Sequence, residues 1–206
     1  MGIYHEHILP HLIGFACGSK PVMLQRQKIV PLAEGRVLEV GLGAGPNLAF
    51  YDPARVELVF GLEPSAGMRR KAARAVASAP VPVELIGLPG EEIPLDDNTV
   101  DTAVLTYTLC SIGPWEAALD QIRRVLKPGG RLLFCEHGLA PDENVARFQA
   151  RINPVWGVIA GGCHLNRPIP ELIESAGFAI DDMETLYLPG TPKFAGFNYW
   201  GSARQR

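Results

Sequence analysis

Cysteine is scarce in this 206-residue chain: four residues, at 17, 110, 135 and 163, with no close pair among them and no secretory signal ahead of them. That usage excludes a disulfide framework and fits a reducing compartment, so a cytoplasmic location is expected. The cysteine separations match no short metal-ligand pattern, and cysteine is commonly a small buried hydrophobe, so no metal is expected. A basic excess is also lacking. The formal net charge is −3 and the pI is near 6.0, which leaves nothing to neutralise a phosphate backbone and argues against a nucleic-acid partner. Long hydrophobic runs are missing as well: the apolar stretch from Ile8 to Cys17 is interrupted by Pro10 and His11 and falls far short of the roughly 18 residues a membrane span needs. Ile8, Leu9, Leu12, Ile13 and Phe15 can still form one face of a helix, packed on its own domain or laid on a membrane surface. No internal repeat is present.

What the chain does have is enough apolar residue, 47%, for one sizeable core, and a length that fits one domain, 1–206. After Pro31 it alternates short Val/Leu-rich runs with helical patterns, the signature of a mainly parallel α/β sheet with crossover helices. The spacing predicts strands over Arg36–Val40, Val56–Leu62, Val83–Ile86, Thr102–Tyr107 and Arg131–Glu136. Ser65 predicts a helix start that runs to about Ala77, and Pro114 one that reaches Leu126 before the stop signal Lys127-Pro128-Gly129-Gly130. A later helix, Pro170–Ala176, is closed by Gly177. Two β-like runs follow, Ala179–Leu188 and Phe194–Ser202, joined by a turn at Pro189, Gly190 and Pro192; consecutive strands of this kind imply an antiparallel pair. The segment before Val30 predicts two helices, the second opened by Ser19 and Pro21 and carrying Lys20, Arg26 and Lys28. Together they suggest a helical lid over residues 1–30, with His7 and His11 one turn apart.

Directly after the first strand stands Glu39-Val40-Gly41-Leu42-Gly43-Ala44-Gly45. Glycines there permit positive φ and close approach of backbone to a ligand. A dinucleotide fingerprint needs G-x-G-x-x-G, but here the third glycine comes one residue early and Pro46 follows it. The second strand ends in Gly61-Leu62-Glu63-Pro64-Ser65, placing a carboxylate where it can accept bonds from both hydroxyls of a ribose. With Gly90-Glu91 ahead of strand four and Leu126-Lys127-Pro128-Gly129-Gly130 ahead of strand five, these motifs resemble those of class I S-adenosylmethionine-dependent methyltransferases. The resemblance implies a seven-stranded, mainly parallel Rossmann-like sheet with helices on both faces and an antiparallel C-terminal strand. It implies S-adenosyl-L-methionine as cofactor, S-adenosyl-L-homocysteine as product, and a cofactor set of Glu39, Gly41, Gly43, Gly45, Asn47, Glu63, Pro64, Gly90, Glu91, Thr106 and Leu109. Many relatives carry an aspartate where this chain has Pro89, so the adenine contact is expected from the Gly90 amide or from Glu91.

Acceptor choice is usually written beyond the ends of strands four and five. There the chain reads Leu109-Cys110-Ser111 and Glu136-His137, then Pro154-Val155-Trp156 and Gly162-Cys163-His164-Leu165-Asn166-Arg167. This set resembles the thiol S-methyltransferases of the methyltransferase-like seven group, although the first thirty residues are unlike theirs. The resemblance implies S-methylation of a small thiol. Similarity to phospholipid and quinone methyltransferases keeps an amphipathic acceptor at a membrane surface as the alternative, and a cofactor-binding protein without catalysis as a third reading. A thiol with a pKa near 8.5 needs little help beyond a neighbouring imidazole. His137 is the first catalytic candidate and His164 the second, with Tyr107 and Trp156 as walls of the acceptor site. Glu136 is expected either to orient His137 or to bind cofactor.

Overall fold

A computed structural model describes residues 18–206. The apolar stretch Ile8–Cys17, with His7 and His11, lies outside the described residues. Seven strands form one sheet in the order β3-β2-β1-β4-β5-β7-β6. They are β1 (Gly35–Val40), β2 (Val56–Leu62), β3 (Val83–Ile86), β4 (Val100–Thr106), β5 (Leu126–His137), β6 (Phe178–Tyr187) and β7 (Phe197–Gln205). The first five pair in parallel, and β7 runs antiparallel to both β5 and β6. The helices are α1 (Lys20–Ile29), α2 (Ala66–Ala77), α3 (Trp115–Val125), α4 (Glu143–Ile159), α5 (Ile169–Ser175) and the single turn α6 (Lys193–Gly196).

Alternation along the central strands builds two cores. Val37, Val59, Val104 and Leu133 face one side with Ile29 of α1 and Ala72 of α2. Leu38, Phe60, Leu105 and Phe134 face the other with Leu119 and Ile122 of α3 and Ile173 of α5. Strands covered on both faces bury every side chain, which is why they read as continuous apolar runs. The expected helix start at Ser65 is in place: its Oγ accepts from the Met68 amide at 3.3 Å. The Lys-Pro-Gly-Gly segment bulges out of the β4–β5 ladder, whose register jumps from Val100↔Leu126 to Thr102↔Arg131, with Gly129 at φ +80°.

Helix α4 has no counterpart among the expected elements. It continues through Pro154, and Val155 and Val158 on it are 64% and 73% exposed, so its apolar pattern does not mark a buried face. Between β1 and β4 the strand order reverses, and Val40 stands level with Leu62 on one side and Leu105 on the other. The loops after β1, β2 and β4 therefore meet at one crevice, where open α/β sheets bind ligands.

Candidate active site

That crevice opens into a cavity of about 450 Å³ lined by Gly41, Gly43, Glu63, Pro64, Gly90 and Glu91, among others. Gly41 and Gly43 have φ of +76° and +61°, and a Cβ on Gly41 would overlap the Thr108 side chain, so that position requires glycine on two grounds. Glu63 is 8% exposed at the end of β2. Its Oε2 accepts from the Gly43 amide at 3.0 Å and its Oε1 from the Ser65 amide at 2.8 Å. Burial raises its pKa, against the opposing pull of those two amides. Each oxygen keeps a lone pair, which is what a vicinal diol needs. Met68, Leu88 and Ile112 add apolar surface for a flat ring. Size, a carboxylate with free acceptor positions and the bare glycine turn fit S-adenosylmethionine.

Behind the turn lies a buried polar network. Glu39, 1% exposed, accepts from Tyr51 Oη at 2.8 Å and from Asn47 Nδ2 at 2.9 Å. Asn47 Nδ2 also donates to Thr106 Oγ1 at 2.9 Å. Arg26 of α1 reaches in and donates through Nη1 to Asn47 Oδ1 at 2.9 Å and to Thr106 Oγ1 at 2.6 Å. Burial pushes the pKa of Glu39 up to about 7, more than Tyr51, Arg26 and Asn47 pull it down. Glu39, Asn47, Thr106 and Leu109, expected to touch the cofactor, do not line the cavity, and Gly45 packs instead on Leu48 and Ala75. Their side chains are buried because they brace the loop from below. Arg26 was the residue missed: it reads as a solvated helix charge, although Val22, Arg26 and Ile29 share one face by spacing, and all three are buried.

A second cavity, of about 280 Å³, adjoins the first and shares Tyr107 and Ser111 with it. Tyr107 has φ +53°, an uncommon value for a residue with a side chain, and its hydroxyl donates to Asn198 Oδ1 at 2.6 Å. Trp156 and His137 line this second space with Cys110, Cys163 and Val22. Trp156 Nε1 and His137 Nδ1 are buried without a hydrogen-bond partner among the described residues. His137 Nε2 lies 3.1 Å from Cys163 Sγ. Burial opposes charge on this imidazole, but Cys163 and Glu136 outweigh it and raise its pKa. Contact with the Cys110 sulfur and burial both push the pKa of Cys163 upward. One ligand atom from each of Cys110, His137 and Cys163 falls within 4.8 Å of the others. The sequence, with separations matching no ligand motif, predicted no metal; the fold assembles this trio from the turn after β4, the end of β5 and the loop after α4. Cys135 is not part of it and is fully buried in the core beside α1.

His164 does not reach either cavity. Its Nδ1 lies 3.1 Å from Asn153 Nδ2 and its amide donates to the Cys110 carbonyl at 2.9 Å, so it fastens the loop while Cys163 and Leu165 face the cavity. Glu136 neither bonds His137 nor lines the cofactor cavity. Its Oε1 accepts from the Thr108 and Leu109 amides at 2.7 and 2.9 Å and its Oε2 from Cys110 at 3.3 Å, clamping the turn after β4.

The family model described as a methyltransferase domain matches residues 38–134. Thiol S-methyltransferase TMT1B of Homo sapiens and of Rattus norvegicus are each 35% identical to this chain, over 80% and 73% of it. The match spans 71% of the human protein and 63% of the rat one, so the chain covers less than two thirds of the latter's length. The C-methyltransferase UbiE of ubiquinone and menaquinone biosynthesis from Syntrophotalea carbinolica is 27% identical over 88% of this chain and 71% of its own length. A solved S-adenosylmethionine-dependent methyltransferase from Thermotoga maritima superposes with a TM-score of 0.68 at 22% identity, covering 99% of this chain and 98% of that one, a likeness of fold. With the glycine turn, the buried carboxylate after β2 and the seven-stranded sheet in place, the chain belongs to the family of S-adenosylmethionine-dependent methyltransferases that includes the thiol S-methyltransferases.

Proposed function

We propose that the chain methylates the sulfur of a small-molecule thiol. The observation that carries this reading is the second cavity: small, largely apolar, joined to the cofactor cavity at Tyr107 and Ser111, and bearing an imidazole and two sulfurs on its wall. The thiol S-methyltransferase relatives support the same acceptor class. When bound, S-adenosylmethionine supplies an electrophilic methyl group. The protein's task is then alignment and exclusion of water. Glu63 and the glycine turn fix the cofactor end. Tyr107, locked by Asn198, separates the two spaces, and Trp156 with Val22 walls off the acceptor. His137 is the group on the acceptor side able to favour the thiolate. His164, held by Asn153, serves the loop.

A quinol or phospholipid is the second reading, supported by the apolar lining of the same cavity and by the quinone-pathway relative. Among the described residues no helix is long and apolar enough to cross a membrane. Peripheral contact is tested by co-sedimentation with liposomes: a chain left wholly in the supernatant removes the support for this reading. The thiol reading is tested by S-adenosylhomocysteine release with an alkyl thiol and hydrogen sulfide, set against a quinol and a phospholipid. Tight cofactor binding with no turnover on any of them would support a non-catalytic role instead. The lid reading extends to α1, whose Ser19 and Val22 border the acceptor cavity. Of the lid proposed over residues 1–30 of the single methyltransferase domain, this described part, α1, would close with ligand.

A further inference from the structure

We propose that Cys110, His137 and Cys163 form a three-ligand zinc site on the wall of the acceptor cavity, with the fourth position left for the acceptor's sulfur. The fourth-ligand part rests on the thiol reading above; the three-ligand part does not. Their donor atoms lie within 4.8 Å of one another; zinc–ligand lengths in a tetrahedral centre impose roughly 3.5–3.8 Å, so side-chain shifts of about 1 Å would close the site. All three residues line the same cavity. Two sulfurs and one imidazole make a soft set that suits zinc, and three protein ligands with one open position is the pattern of zinc sites that bind substrate, whereas four closed ligands mark a structural site.

Two further observations fit. The ligands are held by separate clamps: Glu136 fixes the Cys110 amide, His137 ends β5, and the loop carrying Cys163 is tied back through His164 to the Cys110 carbonyl. Such bracing keeps two loops and a strand end in register at one point. Arg167, half-buried, donates to the Leu109 carbonyl and feels the charge of Cys110 and Cys163, which offsets the negative charge that a third thiolate would add. On coordination the acceptor's S–H bond breaks, its proton passes to bulk buffer, and a sulfur–zinc bond forms. No oxidant or reductant is required.

The test uses the full reduced chain. After dialysis against zinc, elemental mass spectrometry should find one zinc per chain, and X-ray absorption at the zinc edge should show two protein sulfurs and one imidazole nitrogen. Cadmium titration should give a sulfur-to-metal charge-transfer band, with affinity falling at least tenfold in Cys163→Ser and in His137→Ala. Ethanethiol, but not ethanol, should increase the band by about half as a third sulfur joins. No stoichiometric metal in the unmodified chain, or a zinc spectrum without sulfur, would overturn the site whatever the variants do to folding. Full-rate methylation of ethanethiol by chain verified as metal-free would overturn the fourth-ligand role while leaving the thiol reading intact. Zinc held by two sulfurs, with ethanethiol neither joining the band nor being methylated, would uphold the three-ligand site and overturn the fourth-ligand role together with the thiol reading.

Discussion

Glu39 and Glu63 show how one residue type takes two tasks. Both end a strand of the same sheet, but Glu63 stands at the cavity and Glu39 beneath it. In Glu63→Gln one carboxylate oxygen becomes a donor facing the Gly43 or Ser65 amide, so affinity for S-adenosylhomocysteine should drop tenfold or more, about 1.4 kcal/mol, by calorimetry. Unchanged affinity would remove Glu63 from the ribose role. Glu39 has a folded pKa near 7, above its ordinary 4.5. A raised carboxyl pKa gives stability that is full below pH 4.5 and is lost as pH rises through 7. Urea denaturation of the ligand-free chain should therefore show a decline of roughly 3 kcal/mol between pH 4.5 and 7.5 from this group, and Glu39→Gln should flatten that part of the profile. An identical slope in the variant would contradict it. Gly41→Ala should destabilise by about 1–3 kcal/mol, because its φ is positive and Thr108 fills the space a Cβ would take. These two glutamates are alike in the sequence. Each follows apolar residues at a strand end, and only the packing of Tyr51 and Asn47 over Glu39 separates the bracing acid from the ligand-facing one.

At the scale of the element, α1 is tied to the site by Arg26, whose guanidinium also lies over the Tyr107 ring at 5.0 Å. Arg26→Ala would leave Asn47 Oδ1 without its buried donor and Thr106 with Asn47 alone, and should cost roughly 3 kcal/mol of stability and weaken cofactor binding together. Loss of stability with intact cofactor affinity would mean that α1 is scaffold alone. If it is part of a lid, S-adenosylhomocysteine should slow tryptic cleavage after Arg26 and Lys28, Lys20 being protected in any case by Pro21; equal rates with and without ligand would count against that. The parallel strands were legible because double burial writes itself as Val/Leu runs, and α2 because Ser65 caps it. Helix α4 was not: Pro154 and Gly157 read as breakers, and its apolar residues Phe148, Val155 and Val158 are exposed, so no buried stripe announces it. β7 was legible in kind but starts three residues later than its pattern suggests, since Phe194 belongs to α6 and packs edge-on against Phe148 and Trp156.

For the whole molecule, the sheet sets two cavities side by side at its carboxyl edge and lets one tyrosine, in a strained conformation, divide them. The cofactor half was readable because its motifs are local, each within a few residues of a strand end. The acceptor half was readable only as fragments. Cys110, His137 and Cys163 are far apart in the chain and meet through the β4 and β5 ends and the loop after α4, a juxtaposition that no spacing encodes. The sequence ranks His137 ahead of His164 by its place after strand five, but the direction of the Cys163 loop, which turns His164 against Asn153 and Cys163 into the cavity, is not written there. The measurement that bears most directly on the central claim is S-adenosylhomocysteine release by the purified chain, with an alkyl thiol, hydrogen sulfide, a quinol and a phospholipid offered separately in one buffer. Turnover on the thiols alone is the expected result; turnover confined to the quinol or the phospholipid would contradict the account.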